Sequence, residues 1–200
     1  MYQILINHQK IFCKFSGVRG ERNVVGLPKN SVMLYTYSEE WSMLFEKEKI
    51  NIYNCIKEYV IDIQHVGSTS IKGMYAKPII DIVVAIKNLE DGFKLIEAIE
   101  SIGYHFKGSL GKSNRFFFWK GNEKNNTHNL HIVQHGDKNF DNLILFRNFM
   151  NNHCDYREEY CRLKLDLANK YKDDRDTYTK SKAKFIVNVI ELAKREIQKI

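Results

Sequence analysis

The sequence predicts an α/β protein of the α+β kind, in which helices flank a small mixed sheet and a helical bundle follows at the C-terminus. β-Branched apolar runs at 60–66 and 79–86 have the length and composition of strands. Beyond residue 137, the apolar residues recur at helical spacing instead. With 200 residues, 44% of them hydrophobic, the chain is long enough for one core with a helical appendage.

The chain divides into a predicted β-like extension over 1–32, an α/β core over 33–136 and a helical segment over 137–200 that packs on the core. In the extension, 2–6 and 10–15 are short β-like runs, which predict a hairpin or an added edge strand before a loop. No linker rich in Pro, Gly or Ser marks a boundary.

The core begins with a predicted helix. Ser38 supplies a capping hydroxyl, two glutamates follow it, and apolar residues then recur at helical spacing as far as Tyr59. The strand over 60–66 comes next. A second helix, predicted over 90–102, stops at Gly103 and crosses over the sheet.

Two further strands are predicted over 115–120 and 129–134, and they form a hairpin. The rings at 116–119 alternate onto both faces of the first of these, which predicts core packing; a stacking platform for single-stranded nucleic acid needs rings that face solvent. Three helices follow: one from residue 139, one capped by Asp155, and a last one that begins near Asp174.

Charge and cysteine content restrict the setting. The net charge of +7 favours anionic partners such as nucleotides or nucleic acid, against the plain alternative of a solvated basic surface. Four cysteines show no C-x-x-C spacing, and the first residues have no signal-peptide pattern. No apolar run approaches the ~20 residues that a membrane helix needs. We therefore expect a cytoplasmic protein with no membrane partner.

The most informative stretch is a small-residue turn between the first two predicted strands. Gly67 and Ser68 end one strand, where free backbone N–H groups and a hydroxyl suit a phosphate. Asp81 lies inside the next apolar strand, and a buried carboxylate needs a partner. A divalent cation that accompanies the phosphate is one such partner.

This arrangement resembles the nucleotidyltransferase superfamily and, more closely, the GrpB family within it. The resemblance covers roughly residues 33 to 200 and rests on five segments: His65–Ser70, Ala76–Ile82, Thr127–Val133, Phe146–Phe149, and 173–182 leading into Phe185 and Ile186.

The resemblance implies transfer of a nucleotidyl group from a nucleoside triphosphate to a hydroxyl acceptor, either RNA or a small molecule, with Mg²⁺ or Mn²⁺ as cofactor. Asp81 would be the metal ligand and a catalytic residue, and His131 would stand in for the third acid, on a neighbouring strand, as ligand or base. The sequence departs from the superfamily pattern two positions after Asp81, where a second carboxylate is expected and Val83 cannot bind a metal.

The remaining site residues follow from the same motifs. The residues expected to bind phosphate are Gly67, Ser68, Thr69, Lys77, Arg115, Arg147 and Lys182. The cleft is also expected to contain His65, His128 and Tyr178, the last of these one helical turn before Lys182.

Three functions remain open from the sequence. The first is a metal-dependent nucleotidyltransferase-like enzyme. The second is a nucleotide-binding module whose catalysis has lapsed, which Val83 suggests. The third is an RNA-binding protein that uses its basic surface and whose affinity falls steeply with salt.

Overall fold

The computed structural model describes residues 18–19, 25–28, 31–109, 114–122 and 124–198. The predicted β-like runs at 2–6 and 10–15 lie outside these ranges. The strands are β1 (Val18–Arg19), β2 (Leu34–Tyr35), β3 (Val60–Val66), β4 (Ile80–Ile86), β5 (Tyr104–Ser109), β6 (Arg115–Asn122) and β7 (Asn125–Gln134). The helices are α1 (Glu40–Ile56), α2 (Ile96–Ser101), α3 (Lys138–Asn152), α4 (Cys154–Lys170), α5 (Arg175–Ser181) and α6 (Ala183–Ile197).

In the described part of the chain, five strands form the main sheet, in the order β3-β4-β7-β6-β5. β4 runs parallel to β7, and every other neighbouring pair in this sheet is antiparallel. A mixed sheet flanked by helices confirms the predicted α+β class. The hairpin between β6 and β7 and the strand over 60–66 are also where the sequence pattern puts them.

β4 is buried on both faces, which explains its nearly continuous run of β-branched residues. Ile82 and Val84 face the larger core, where they pack with α1 and with Leu95 and Ile99. Val83 faces the opposite side with Phe140 of α3. Because alternate residues share a face, Asp81 lies on the same side of the sheet as Val83.

The segment between β4 and β6 differs from the prediction. The crossover is a 3₁₀ helix over Leu89–Leu95 continued by the short α2, and it stops before Gly103, whose φ is +90°. β5 follows directly and was not predicted. Its run Tyr104 to Ser109 is short, lies at the sheet edge and contains a bulge between Phe106 and Gly108, so its strand pattern is weak.

Two predictions about the C-terminal helices are wrong. Asp155 lies in the first turn of α4, and the cap position of that helix is His153, whose side chain makes no capping bond to any described residue. The last helix is interrupted at Lys182 and forms α5 and α6. Its predicted start holds, because the Asp174 side chain accepts a hydrogen bond from the Thr177 N–H at 2.9 Å.

The helical segment packs on the loop that joins β3 to β4. Ile71 and Met74 of this loop form a second core with Phe146, Met150 and Val189. This packing places α4, α5 and the α5–α6 junction over the beginning of β4. Among the described residues, no helix is long and apolar enough to cross a membrane.

Candidate functional site

A cavity of about 200 Å³ lies where the β3–β4 turn, the beginning of β4 and the C-terminal helices meet. Its polar lining comes from separate parts of the chain. The residues that determine its chemistry are Ser68, Lys77, Asp81, Lys164, Arg175 and Lys182.

Gly67 brings the turn against Asp81. Its φ is +71°, a left-handed conformation that glycine adopts without strain, and Ser68 begins a one-turn 3₁₀ helix immediately after it. A Cβ at position 67 would collide with Asp81 Oδ2. The glycine is therefore required both by the backbone and by the close approach of the carboxylate.

We expect Gly67→Ala to lower the free energy of unfolding by about 2 to 4 kcal/mol, because left-handed strain and a steric clash add. Urea denaturation measures this change. Gly136→Ala is the matched control, since Gly136 has a φ of +81° but a Cβ added there would meet no described heavy atom within 4 Å. Equal losses in the two variants would show that contact with Asp81 contributes nothing.

Asp81 is held by its neighbour on β7. The parallel register pairs Asp81 with Asn129, and Asn129 Nδ2 donates to Asp81 Oδ1 at 2.7 Å. Burial raises the pKa of the Asp81 carboxyl, whereas this hydrogen bond and the charges of Lys77, Arg175 and Lys182 oppose the rise. The carboxylate therefore already has an amide partner and a cationic environment.

Within the described lining, the lysines of the cavity outnumber its carboxylate. Lys164 is 1% exposed and donates to Ser68 Oγ at 3.3 Å and to the Tyr75 carbonyl. Burial is the largest cause of the lowered pKa values of Lys164, to about 7, and of Lys182, to about 8. Burial also lowers the pKa of Lys77 well below its usual value, and Arg175 and Lys182 lower it further.

Two of these cations lie over the ring of Tyr178. Lys182 Nζ lies 4.1 Å from the ring centroid, and Lys77 Nζ lies 5.5 Å from it. The tyrosine itself is 1% exposed and packs with Leu34 and Leu165. An aromatic face attracts both ammonium groups, so the ring fixes them at the cavity without neutralising them.

The structure brings together one subset of the residues predicted from the sequence. These are Ser68, Thr69, Lys77, Asp81, Tyr178 and Lys182, with Gly67 directly behind Asp81. The other predicted residues, which are His65, His128, His131, Arg115 and Arg147, do not line this cavity.

His131 lies farther along β7 from Asp81 than the sequence pattern suggests. It pairs with Val83, two residues beyond the Asp81–Asn129 pair, and stacks on Phe117 at 4.9 Å. Burial lowers its pKa to about 3, and its buried Nδ1 has no hydrogen-bond partner among the described residues. The residue next to Asp81 on β7 is thus Asn129, so His131 is not placed as its fellow ligand.

The other two histidines predicted for the cleft, His128 and His65, are neutral and also do not line the cavity beside Asp81. His128 lies on the opposite face of the sheet and bonds to Thr127 Oγ1 at 2.9 Å. Burial lowers its pKa to about 4.

His65 does not line the cavity itself, but it contacts Thr69, which does. Its Nε2 is 3.0 Å from Thr69 Oγ1, and the Thr69 hydroxyl donates to the Ile79 carbonyl at 3.3 Å. Since the hydroxyl has one hydrogen, His65 must donate from Nε2. Burial lowers the pKa of His65 to about 3, and its ring stacks on Phe45. The histidine positions Thr69 as a neutral donor.

Arg147 connects α3 to β3. Its guanidinium donates to Gln64 Oε1 and to the His65 carbonyl, both at 2.8 Å. Nη1 donates both bonds, and Nε donates to Asn148 Oδ1 at 3.0 Å, so this guanidinium joins structural elements away from the cavity. Arg115 lies at the start of β6 and pairs with Val133, four residues beyond the row that contains Asp81.

We expect Arg147→Ala to lower the free energy of unfolding by about 2 to 3 kcal/mol, because it removes two hydrogen bonds from a charged donor. Its affinity for inorganic triphosphate should stay within twofold of the wild-type value. Urea denaturation and calorimetric titration measure the two quantities. Arg162→Ala, at an exposed position of α4, is the control. Lost affinity with unchanged stability would instead assign Arg147 to phosphate binding.

Three cavity residues were missed from the sequence. Lys164 lies within the apolar stripe of α4 between Tyr160 and Leu165, where an inward lysine is unusual. Arg175 follows the cap residue of α5. Asn129 is inside a motif already singled out, two residues before the histidine that was chosen.

The lining does not fit a two-metal centre. Two divalent ions need several carboxylates, and among the described residues Asp81 is the one carboxylate that lines the cavity. Val83 is fully buried, and the amide oxygen of Asn129 accepts from Asn126 Nδ2 at 3.2 Å. In the described part of the chain, no group of three or more His, Cys, Asp or Glu residues is arranged to hold a metal.

Comparison with known proteins places this geometry in a family. The family described as GrpB protein matches residues 31–192. Glutamate-rich protein GrpB of Alkalihalophilus pseudofirmus is 37% identical over 171 residues, which cover 84% of this chain and 98% of that protein. UPF0157 protein YqkA of Bacillus subtilis is 34% identical over 168 residues, 84% of this chain but 49% of that protein.

Solved structures agree with this match. The crystal structure of conserved protein GrpB from Enterococcus faecalis superposes with a TM-score of 0.76 and 32% identity, over 83% of this chain and 99% of that one. Cid1 in complex with the UTP analog UMPNPP gives a TM-score of 0.45 and 11% identity, over 67% of this chain and 42% of that one. The second likeness is too slight to bear on function.

Proposed function

The chain belongs to the GrpB family, and for this member we propose that the cavity binds the phosphate groups of a nucleoside triphosphate without two-metal nucleotidyl transfer. The observation that carries the proposal is the convergence of Lys77, Lys164, Arg175 and Lys182 on a cavity whose described lining includes one carboxylate. This is the second of the functions that the sequence left open.

The positive charges in the lining of the cavity are electrostatically unfavourable by themselves. Buried ammonium groups cost free energy unless they are paired. Here burial is the largest cause of the lowered pKa values of Lys164 and Lys182. The charge of Lys182 adds to the effect at Lys164, and the charge of Arg175 adds to it at Lys182, where Asp81 opposes it. A polyphosphate supplies several negative charges at once. Perturbed lysines clustered at a cavity are typical of a binding site.

The size of the cavity limits what it encloses. A volume of about 200 Å³ is below the roughly 300 Å³ at which pockets begin to enclose whole drug-sized ligands. The phosphate chain is the part of a nucleotide that matches both this volume and the cationic lining. The nucleoside then extends out of the cavity.

The hydroxyl of Ser68 and the Lys164 ammonium are the groups that would contact a phosphate oxygen most directly. They are already 3.3 Å apart, so one oxygen can accept from both. Asp81 has a different task. Its charge raises the pKa of Lys182 and of Lys77, and so it opposes the lowering of these pKa values by burial.

Calorimetric titration with each of the four ribonucleoside triphosphates and with inorganic triphosphate tests the proposal, in EDTA and again in Mg²⁺. We expect binding under both conditions and no pyrophosphate release after long incubation. Pyrophosphate release in Mg²⁺ that Asp81→Asn abolishes would contradict the proposal and establish a nucleotidyltransferase. Absence of binding under both conditions would also contradict it.

A further inference from the structure

One cross-strand row leads from the cavity across the sheet. Asp81 on β4 pairs with Asn129 on β7, Asn129 pairs with Trp119 on β6, and Trp119 pairs with His105 on β5. Paired residues lie on the same face of a sheet, and strands are ~4.8 Å apart. Trp119 therefore lies roughly 10 Å from Asp81, on the same face of the sheet.

The rings of β6 divide between the two faces. Phe116 and Phe118 are buried in the main core. Phe117 and Trp119 are half-buried and lie on the opposite face, as does Arg115. The prediction that these rings serve core packing therefore holds for one face of the strand, and the other face keeps two partly exposed rings.

These rings form a supported platform, which we define as His105, Phe117, Trp119 and His131. The rings of His105 and Trp119 have centroids 4.7 Å apart, and Phe117 and His131 stack at 4.9 Å. Neighbouring strands thus hold the two larger rings in place. A preformed aromatic surface loses little conformational entropy when a planar ligand stacks on it.

Cations border the platform. Lys107 is exposed, and its Nζ lies 5.9 Å from the Phe117 ring centroid. Arg115 is half-buried at the far end of β6, and its buried Nε has no hydrogen-bond partner within the part of the chain that the structure describes. Planar rings between basic side chains complement a ligand that carries both bases and phosphates, which is how sequence-tolerant single-strand binding works.

We infer that this face binds a single-stranded nucleic acid, whose bases stack on Trp119 and Phe117 while its terminal phosphates enter the cavity beside Asp81. The inference rests on the proposed function and extends it, because it names the ligand class that continues beyond the phosphate chain. Arg115 then contacts a backbone phosphate of the strand, outside the cavity.

Tryptophan fluorescence and anisotropy test the inference. The chain has two tryptophans, and Trp41 is 1% exposed, so a base that stacks on the surface quenches Trp119. A single-stranded ribo-octanucleotide of mixed sequence with a 5′-triphosphate is titrated into the full chain. We expect quenching that saturates together with the anisotropy of a 3′-labelled copy.

Variants separate stacking from other contributions. Trp119→Leu should weaken oligonucleotide binding about 5- to 100-fold, whereas Trp119→Phe should retain the affinity and lose the quenching. Lys107→Gln should reduce the slope of log K against log salt by about 0.7, a change that neither Trp119 variant produces. Tyr53→Leu is the matched control, since Tyr53 is an aromatic residue of α1 that is 50% exposed.

Inorganic triphosphate titrated against every variant distinguishes the two proposals. If triphosphate binds but the oligonucleotide does not, or if Trp119→Leu binds the oligonucleotide as tightly as the wild type, the inference is wrong and phosphate binding stands. If neither ligand binds, both fail. Sedimentation that shows a dimer dissociated by Trp119→Leu, with no oligonucleotide binding, would make the platform an interface between copies and overturn the inference.

Discussion

Replacing Lys182 by methionine is expected to weaken the binding of a nucleoside triphosphate about 10- to 100-fold and to make the ligand-free protein more stable. The loss of affinity follows because a charge-assisted contact to phosphate is worth about 1.5 to 3 kcal/mol. The gain in stability follows because methionine keeps the length of the side chain and removes a charge that burial and Arg175 disfavour, by more than Asp81 favours it. We expect the free energy of unfolding at pH 7 to rise by about 1 kcal/mol.

The opposite signs of the two effects make this variant informative. If Lys182 had a purely structural role, its replacement would lower the free energy of unfolding. If it had no role, its replacement would change neither the free energy of unfolding nor the nucleotide affinity. Lys184→Met is the control, because Lys184 is two positions further along and exposed. Calorimetric titration and urea denaturation of both variants measure the effects. Affinity of Lys182→Met within twofold of the wild-type value would exclude Lys182 from the binding site.

Nucleotide affinity is expected to fall by at least about tenfold per pH unit between pH 8 and 9. In the free protein the pKa values are about 7 for Lys164 and about 8 for Lys182, so Lys164 is already largely deprotonated at pH 8 and Lys182 loses its proton over this range. A bound phosphate chain favours their charged forms and raises these pKa values, and binding therefore takes up protons. The ligand itself is fully ionised here, since the last phosphate pKa is roughly 6.

Titrations at constant ionic strength in buffers of different ionisation enthalpy measure both the affinity and the proton uptake. For the protein without nucleotide we expect the free energy of unfolding to change with pH in the opposite direction to the affinity. Between pH 7 and 9 the unfolded chain, with lysines near 10.5, holds more protons than the folded one, so the free energy of unfolding rises with pH. A nucleotide affinity independent of pH over this range would show that these lysines do not contact the ligand.

The local parts of this site are predictable from the sequence, and the long-range parts are not. Gly67 and Ser68 between two apolar runs predict a turn, and the aspartate inside the second run predicts a polar cavity against a buried strand. Both follow from residues within one stretch of the chain. Lys164, by contrast, contacts Ser68 from 96 positions away. Its inward orientation depends on how α4 packs, which the helical pattern alone does not specify.

The strand register explains the different placement of His131. The sequence identifies β7 as the neighbour that completes the site, but a shift of two residues along a strand keeps the same face. The hydrophobic pattern therefore favours Asn129 and His131 equally beside Asp81. The structure pairs Asp81 with Asn129, and this pairing is what turns a predicted metal site into a carboxylate held by an amide.

A crystal soaked with Mn²⁺ and a non-hydrolysable nucleoside triphosphate distinguishes phosphate binding from two-metal catalysis at this cavity. We expect phosphate density between Ser68, Lys164 and Lys182, with at most one anomalous manganese peak, at Asp81. Two manganese peaks about 4 Å apart beside Val83, as in two-metal enzymes, or phosphates bound outside the cavity, would contradict it.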